Sequence, residues 1–504
     1  MARKTTPSFI TELPLKVDSQ QARELEARFN AAMRLYNACL GEALTRMKLV
    51  KSSEAWEQAR SLPRSKKKER NAFFGEARKQ YRFSEYELHS FATITANSSR
   101  WIANKVDSNT QQKLATRAFK AVERILFGQA KKIRFRVPSR FRSVEGKSNK
   151  TGLRWKDNQV VWGFLKLAPI IPTNNPVIEH GLNSRVKYVR LLWRELNGKK
   201  RWFVQLVCEG QPYIKPQNYV SFGTVGLDLN ISNVAFVGDS YAGLLPFAEG
   251  VPTYQRKIRK LQRKMARSSR ANNPNNFEPD FLAKKGRKLV KKQGKVKKGA
   301  KNWKRSSSYQ KTALQKREIE RKASAYAKSQ NRRVVNEILR HGSEIKTEKV
   351  SVKGWQKRYG KAIGHKSPGF FQAELKRKAE SADGEFIEFS TQKTALSQTH
   401  LDGTRIKKSL SQRVHKDVTG FRMHRDLFSA FLARSVYDDL LSLHYVQQDY
   451  RRLESVLMEG WERYLESANL VGNAERRRCH TPKEQISIDL EKANQVKQEG
   501  LEVS

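Results

Sequence analysis

The chain has 504 residues, of which 100 are Lys or Arg and 49 are Asp or Glu, giving a formal net charge of +51 at pH 7. With 38% hydrophobic and 30% charged residues it has the composition of a globular protein long enough for about two to four domains. No stretch approaches the roughly 20 apolar residues of a membrane-spanning helix, and the positive excess calls for a polyanionic partner.

Nucleic acid is expected over an anionic membrane surface, because the basic residues are spread along the whole chain rather than gathered beside one amphipathic anchor. The start, MARKTTPSFI, lacks an apolar core of signal-peptide length, so a cytoplasmic, nucleoid-associated protein of prokaryotic type is expected. Cys39, Cys208 and Cys479 are far apart and offer neither a disulfide framework nor a CxxC pair for zinc.

From Ser19 to Phe127 apolar residues such as Leu25, Phe29, Met33, Leu35 and Tyr36 recur at three- and four-residue steps, which predicts a helical domain. From about Lys131 to Val220 short β-rich runs follow, at Leu153–Trp162, Val186–Trp193 and Trp202–Cys208, separated by Asn, Gly and Pro. They predict a small barrel or sandwich. Arg154, Trp155, Lys156, Trp162, Arg201 and Trp202 interleave positive charge with aromatic rings there, as a surface that holds a phosphate backbone and stacks bases would. The alternative is that the tryptophans are core and the basic residues are solvated.

Thr224 to Val237 alternates, with Val225, Leu227, Leu229 and Ile231 on one face, and predicts a strand. Tyr254 to Met265 predicts a helix whose stripe of Ile258, Leu261 and Met265 packs inward. Arg256, Arg259, Lys260, Arg263 and Lys264, with Arg267 just beyond, are then free to grip phosphates. Residues 284–305, which include Lys284, Lys285 and Arg287, hold twelve Lys or Arg and no acid; they are expected to be mobile until nucleic acid arrives. A long helix from Tyr309 to His341 leads to a strand from Ile345 to Val352. An amphipathic helix is expected over RDLFSAFLARSVYDDLL from Arg425, and a weakly ordered tail from residue 471.

In a chain so poor in acids, a carboxylate within an apolar strand needs a compensating cation or hydrogen bonds. Asp228 is such a residue. Glu348 lies in the later strand, and Asp426 opens the late helix, where the helix dipole favours negative charge. An acid on a first strand, one on a later strand and one heading a helix can converge on a pair of Mg²⁺ ions for in-line phosphodiester hydrolysis.

These residues carry a resemblance. GLDLNISNVAFV (226–237) resembles the first RuvC motif of TnpB proteins and of the type V CRISPR effectors, with Asp228 and Asn233 fitting and Asn230 in place of the usual glycine. IKTEKVSVKGW (345–355) resembles the second motif, with Glu348. HRDLFSAFLA (424–433) resembles the third, with Asp426, but Phe428 where an Asn is common. The resemblance covers roughly residues 1–470. It implies an RNase H-like α/β nuclease domain over 221–470, with a basic helical insertion at 254–340, a helical recognition lobe over 19–127, and a wedge-type β domain over 128–220 whose first strand is residues 1–18. It also implies a guide RNA and a target DNA as partners, with two Mg²⁺ ions as cofactors held by Asp228, Glu348 and Asp426.

Members of that family commonly carry a cysteine-rich zinc ribbon before the third motif. The matching segment here, within residues 391–420, has no cysteine; His400, Asp402, His415 and Asp417 lie there instead. Thiolates supply much of a structural zinc site's affinity, so loss of the zinc is expected over its replacement by these four. Three other functions stay open on the sequence: an RNA-guided protein that binds DNA without cutting, a DNA transposase with a similar acidic triad, and a general RNA-associated basic protein.

Overall fold

The computed structural model describes residues 6–475 apart from Arg287, Leu410 and Ser411; Arg287, the side chain of Lys285 and the expected tail from residue 476 onward lie outside the described residues. The chain forms two compact units, residues 1–213 and 214–504.

The first unit opens with β1 (Ser8–Lys16), followed by α1 (Ser19–Lys51), α2 (Glu54–Ser61), α3 (Lys67–Gln80), α4 (Glu85–Ser98), α5 (Arg100–Lys105) and α6 (Ser108–Leu126). Asp18 starts α1 with a capping box: its carboxylate accepts from the Gln21 amide at 2.7 Å, and the Gln21 side chain accepts from the Asp18 amide at 3.1 Å. Then come β2 (Ser143–Glu145), β3 (Arg154–Lys156), β4 (Gln159–Trp162), β5 (Leu165–Pro169), α7 (Pro176–Asn183), β6 (Val186–Leu196) and β7 (Lys199–Glu209).

The strands form one antiparallel sheet in the order β2-β6-β7-β1-β5-β4-β3. The sheet is open: β2 and β3 stand at its two ends, and no pairing among the described residues closes a barrel. Helices and sheet share one core, in which Phe29 of α1 meets the Trp202 ring edge-on at 5.1 Å. Trp202 and Trp162 are therefore core residues, and the Trp162 indole N–H donates to Asp107 at 2.9 Å. Burying so large a ring with its one donor satisfied outweighs keeping it on a binding face. Trp155 is half-buried against the same core, and Arg154 beside it reaches the Lys150 carbonyl at 3.4 Å.

The second unit runs through β8 (Thr224–Leu229), β9 (Asn233–Val237), β10 (Ala242–Pro246), α8 (Val251–Asn272), β11 (Phe281–Lys285), β12 (Lys288–Lys292) and α9 (Ser307–Leu339). It continues with β13 (Glu344–Glu348), α10 (Val352–Tyr359), α11 (Lys361–Lys366), α12 (Pro368–Ser381), β14 (Glu385–Phe389) and α13 (Thr391–Thr394). β15 (Val414–Lys416), β16 (Arg422–His424), α14 (Arg425–Arg434), β17 (Val436–Tyr437), β18 (Leu440–Leu441) and α15 (Leu443–Glu475) complete it. Its sheet has the order β10-β9-β8-β13-β14; β8, β9 and β10 are antiparallel, whereas β13 and β14 run parallel to β8.

Several expected elements are reshaped. The run from Thr224 to Val237 is a hairpin, because the chain turns at Asn230–Ser232, where the Asn230 amide donates to the Asn233 carbonyl at 3.0 Å. The strand expected to reach Val352 stops at Glu348. The helix expected to continue from Arg425 to Leu441 ends at Arg434 and gives way to the β17–β18 hairpin, whose turn residues Asp438 and Asp439 both adopt positive φ. From Asp426 to Arg434 every residue of α14 is buried, so it is a core helix and not an amphipathic one. At the far end, α15 continues to Glu475, five residues into the expected tail.

The lysine-rich segment is organised as well. β11 pairs with β12, and the following loop is tied down by Asn273, which bonds both the N–H (2.6 Å) and the carbonyl (2.9 Å) of Lys304, and by Asp280, which accepts from the Gly294 amide at 3.0 Å. Backbone pairing and a few buried amides hold the chain here, while the lysine heads point into water, where their mutual repulsion is screened.

Candidate active site

β8 presents two faces. Val225, Leu227 and Leu229 pack with Val334, Val335 and Ile338 of α9 and Phe371 and Leu375 of α12. The other face, with Gly226 and Asp228, looks onto α14; at Gly226 the strand backbone nearly touches the Ala430 carbonyl. β13 runs beside β8 with Glu344 opposite Thr224 and Thr347 opposite Leu227, so Glu348 stands one step further on, alongside Asp228. Lys346, two residues earlier on the same face, donates to the Arg434 carbonyl of α14 at 3.1 Å, which shows that this face also meets α14.

Asp426 occupies the first turn of α14, capped by His424, whose Nδ1 accepts from the Asp426 amide at 3.2 Å. Asp426 is 2% exposed. Its carboxylate lies 3.5 Å from Arg425 Nε and 3.9 Å from Arg413 Nη1, and the helix N-terminus adds positive potential. Burial pushes the His424 imidazole down to about 4, so it is neutral and its Nδ1 is free to accept.

Asp228, Glu348 and Asp426 are thus brought into electrostatic contact. Asp228 is held well above the usual carboxylate range, first by burial and then by the charges of Asp426 and Glu348, against the opposing pull of Arg425 and Arg413. Burial pushes Glu348 up to about 7. Two neighbouring carboxyls, Asp228 and Glu348, that resist ionisation in the absence of a counter-charge are what a site built around cations should look like, and the oxygen-only donors of the three acids suit a hard divalent ion such as Mg²⁺.

Arg413, Arg425 and His424 went unremarked in the sequence. Arg425 and His424 flank Asp426 directly and could have been found by asking what neutralises it; Arg413, 13 residues upstream, carries no such signal and is brought in by the fold.

Of the four residues weighed for zinc, His400, His415 and Asp417 come together, buried, with ligand atoms within 4.8 Å of one another, whereas Asp402 is exposed and accepts from the Thr404 amide and hydroxyl at 2.9 and 2.7 Å. Asp417 and His415 are already saturated, and His400 alone keeps a buried ring nitrogen without a partner, Nε2, too few free donors for a metal. Asp417 Oδ1 accepts from the Thr419 amide (3.1 Å) and hydroxyl (2.9 Å), and Oδ2 accepts from the Leu401 amide (3.0 Å) and His415 Nε2 (2.9 Å), which uses the carboxylate's lone-pair sites. His415 Nδ1 is taken by the Lys408 ammonium, and His400 Nδ1 accepts from the Val418 amide at 3.1 Å. A dication would have to displace the donors on Asp417 and His415 and sit beside Lys408. The purified protein should therefore contain less than stoichiometric zinc, and a zinc-selective chelator should leave its melting temperature unchanged. Lys408→Met, which leaves His415 Nδ1 buried and unpaired, should destabilise this region by about 1–3 kcal/mol. Stoichiometric zinc by elemental analysis would contradict this.

The predicted phosphate-gripping residues Arg256, Arg259, Lys260, Arg263, Lys264 and Arg267 are all exposed on α8, whose stripe of Ile258, Leu261 and Met265 is half-buried. Lys284 is exposed on β11.

No family model matches the chain, and a comparison with curated proteins found no match. Among solved structures, a cryo-EM structure of a Cas12f1–sgRNA–target DNA complex aligns over 84% of this chain and 98% of that chain, at 10% identity and a TM-score of 0.42. A CRISPR–Cas12f ternary complex aligns over 82% of each chain, at 9% identity and a TM-score of 0.30.

Proposed function

We propose that the chain is an RNA-guided DNA endonuclease whose RuvC-like, RNase H-like unit hydrolyses DNA at Asp228, Glu348 and Asp426, in the manner of TnpB proteins and type V CRISPR effectors. The observation that carries this is the meeting of three acids from β8, β13 and α14, two of them held above the usual carboxylate range, in a chain with a net charge of +51. So costly a cluster is understandable where cations and a phosphodiester are to be bound.

Two Mg²⁺ ions bound by these carboxylates would activate a water and stabilise the leaving 3′ oxygen. The protein's own residues prepare the place. Arg425, Arg413 and the N-terminus of α14 surround Asp426 with positive charge, and the parallel pairing of β13 with β8 brings Glu348 alongside Asp228. The exposed arginines and lysines of α8, with Lys284 on the β11–β12 hairpin, bind phosphates of guide RNA or target DNA without regard to sequence. Base pairing with the guide supplies the sequence selection.

The test is to express the chain with its flanking genomic DNA, sequence the RNA that co-purifies, and challenge the complex with a matching DNA library in Mg²⁺. A discrete RNA and guided cuts support the proposal. Protected but uncut DNA would replace it with guided binding alone, and heterogeneous RNA would remove guidance altogether; strand-transfer products made without RNA would indicate a transposase.

A pH dependence follows. Because the folded-state pKa values of Asp228 and Glu348 are raised, the metal-free fold keeps protons that the unfolded chain has released, and that stability fades as pH rises, for Glu348 through about 7. Mg²⁺ must compete with those protons. Its stabilisation of the fold should be small at pH 5.5 and several-fold larger, in melting-temperature shift, at pH 8. A Mg²⁺-induced shift that is the same at both pH values would show that these carboxyls are not the ligands.

A further inference from the structure

In the first unit Trp162 and Trp202 are core, but the charges that flank them in the sequence are not. Cross-strand register sorts β3, β4 and β5 into two faces. Trp155, Val160 and Leu167 are paired across the three strands and face the core, so the next row, Arg154, Val161 and Lys166, faces outward. Lys156, two residues after Arg154, shares that outer face. Lys16 of β1, paired with Ala168 of β5, joins them, and Lys16, Lys156, Lys166 and Ala168 are all exposed. Asp157, in the β3–β4 turn, is the only acid between Leu153 and Pro169.

The chain turns from β4 to β5 through Gly163 and Phe164, with Trp162 paired to Leu165. Gly163 has φ +62°, which the first position of such a two-residue turn requires. The turn is braced from beneath. Trp162 is buried, and the Arg28 guanidinium lies over its ring at 5.0 Å while bonding Glu24 at 2.8 Å and the Lys105 carbonyl at 3.2 Å. Phe164 is fully exposed, and no other large apolar side chain among the described residues is as exposed. A single exposed ring is ordinary on a protein surface. This one stands on a braced turn and adjoins a face of four basic residues. That combination meets both needs of a single-stranded nucleic acid: positive charges for its phosphates and an aromatic ring for a base.

We infer that Phe164 stacks on an unpaired nucleobase of a bound RNA or DNA strand whose phosphates run over Lys16, Arg154, Lys156 and Lys166. This adds a base contact in the first unit to the phosphate contacts proposed for α8, and it stands whether or not the chain cuts DNA.

The experiment uses the full-length protein, freed of nucleic acid at high salt. The probes are a single-stranded oligouridine RNA, the corresponding deoxyuridine DNA, each carrying one 5-iodouracil, and an abasic DNA of the same length. Irradiation should cross-link the iodouracil of at least one strand to Phe164, read by mass spectrometry, and the strand that cross-links identifies the source of the base. Phe164→Ala should weaken binding of that strand about tenfold and leave both abasic binding and the melting temperature unchanged. Phe164→Tyr should bind as the wild type, and Phe164→Leu, apolar but without a π face, should bind as Phe164→Ala does. Lys166→Ala should reduce the slope of log affinity against log salt by about 0.7. The inference is overturned if neither strand cross-links at Phe164, or if Phe164→Ala binds both strands as the wild type does. Full retention of affinity by Phe164→Leu, or an equal loss on the abasic strand, would show that no base is stacked. A change of oligomeric state on Phe164→Ala, seen by sedimentation, would assign the ring to a protein contact, and an unchanged salt slope for Lys166→Ala would remove the phosphates from this face.

Discussion

Asp228→Asn should reduce guided DNA cleavage by about 10³-fold or more and leave guided binding of the same DNA within about twofold of the wild type. Asn keeps the shape of Asp but cannot carry the charge that the proposed pair of Mg²⁺ ions would require. At this position that charge is also a liability in the metal-free protein, because burial and the neighbouring Asp426 and Glu348 oppose it. The substitution should therefore not lower the melting temperature, whereas loss of activity through misfolding would. Cleavage and electrophoretic binding assays on one RNA-loaded preparation separate the cases. If DNA occupancy is the whole activity, the variant will behave as the wild type in both assays.

Gly226→Ala should cost about 3 kcal/mol or more in the stability of the second unit. A Cβ at this position would overlap the Ala430 carbonyl oxygen and lie 2.9 Å from both the amide nitrogen and Cγ of Arg434. The strand cannot yield, because its opposite face is packed on α9 and α12, and α14 cannot yield because it is buried on every side. Arg434 is itself pinned, with its guanidinium bonded to the carbonyls of Thr224 and Val237 and, at 2.6 Å, to Asp239. Any separation of β8 from α14 also moves Asp228 away from Asp426, so cleavage should fall further than the loss of folded protein explains. Hydrogen exchange on β8 and α14 reads the first effect and single-turnover cleavage the second. Wild-type protection in both elements would show that the close approach is not as described.

The three acids of the proposed site stand out in the sequence for a physical reason: in a chain where basic residues outnumber acids by two to one, an aspartate inside an apolar alternating run is conspicuous, and so is one heading a helix. The long helix α9 and the helical run α1 to α6 were legible through their three- and four-residue periodicity, which local backbone geometry imposes. Zinc at the cysteine-free segment was doubtful from composition alone, and the saturated lone pairs of Asp417 give that doubt a structural cause.

What the sequence by itself determined is the charge, and hence the class of partner expected, the helical periodicities and the identity of the exceptional acids. Tertiary structure alone decided where the periodic pattern breaks: at Asn230, where an apolar run becomes a hairpin, and at Arg434, where a helix stops and its last carbonyl accepts from Lys346. It also decided that Trp162 and Trp202 are core, that the lysine-rich stretch is paired and tied, and that Arg413 reaches Asp426. Local propensity acts over a few residues and shows in the sequence, whereas side-chain convergence depends on which strands pair and which helix covers them, and many of those partners lie far apart in the chain.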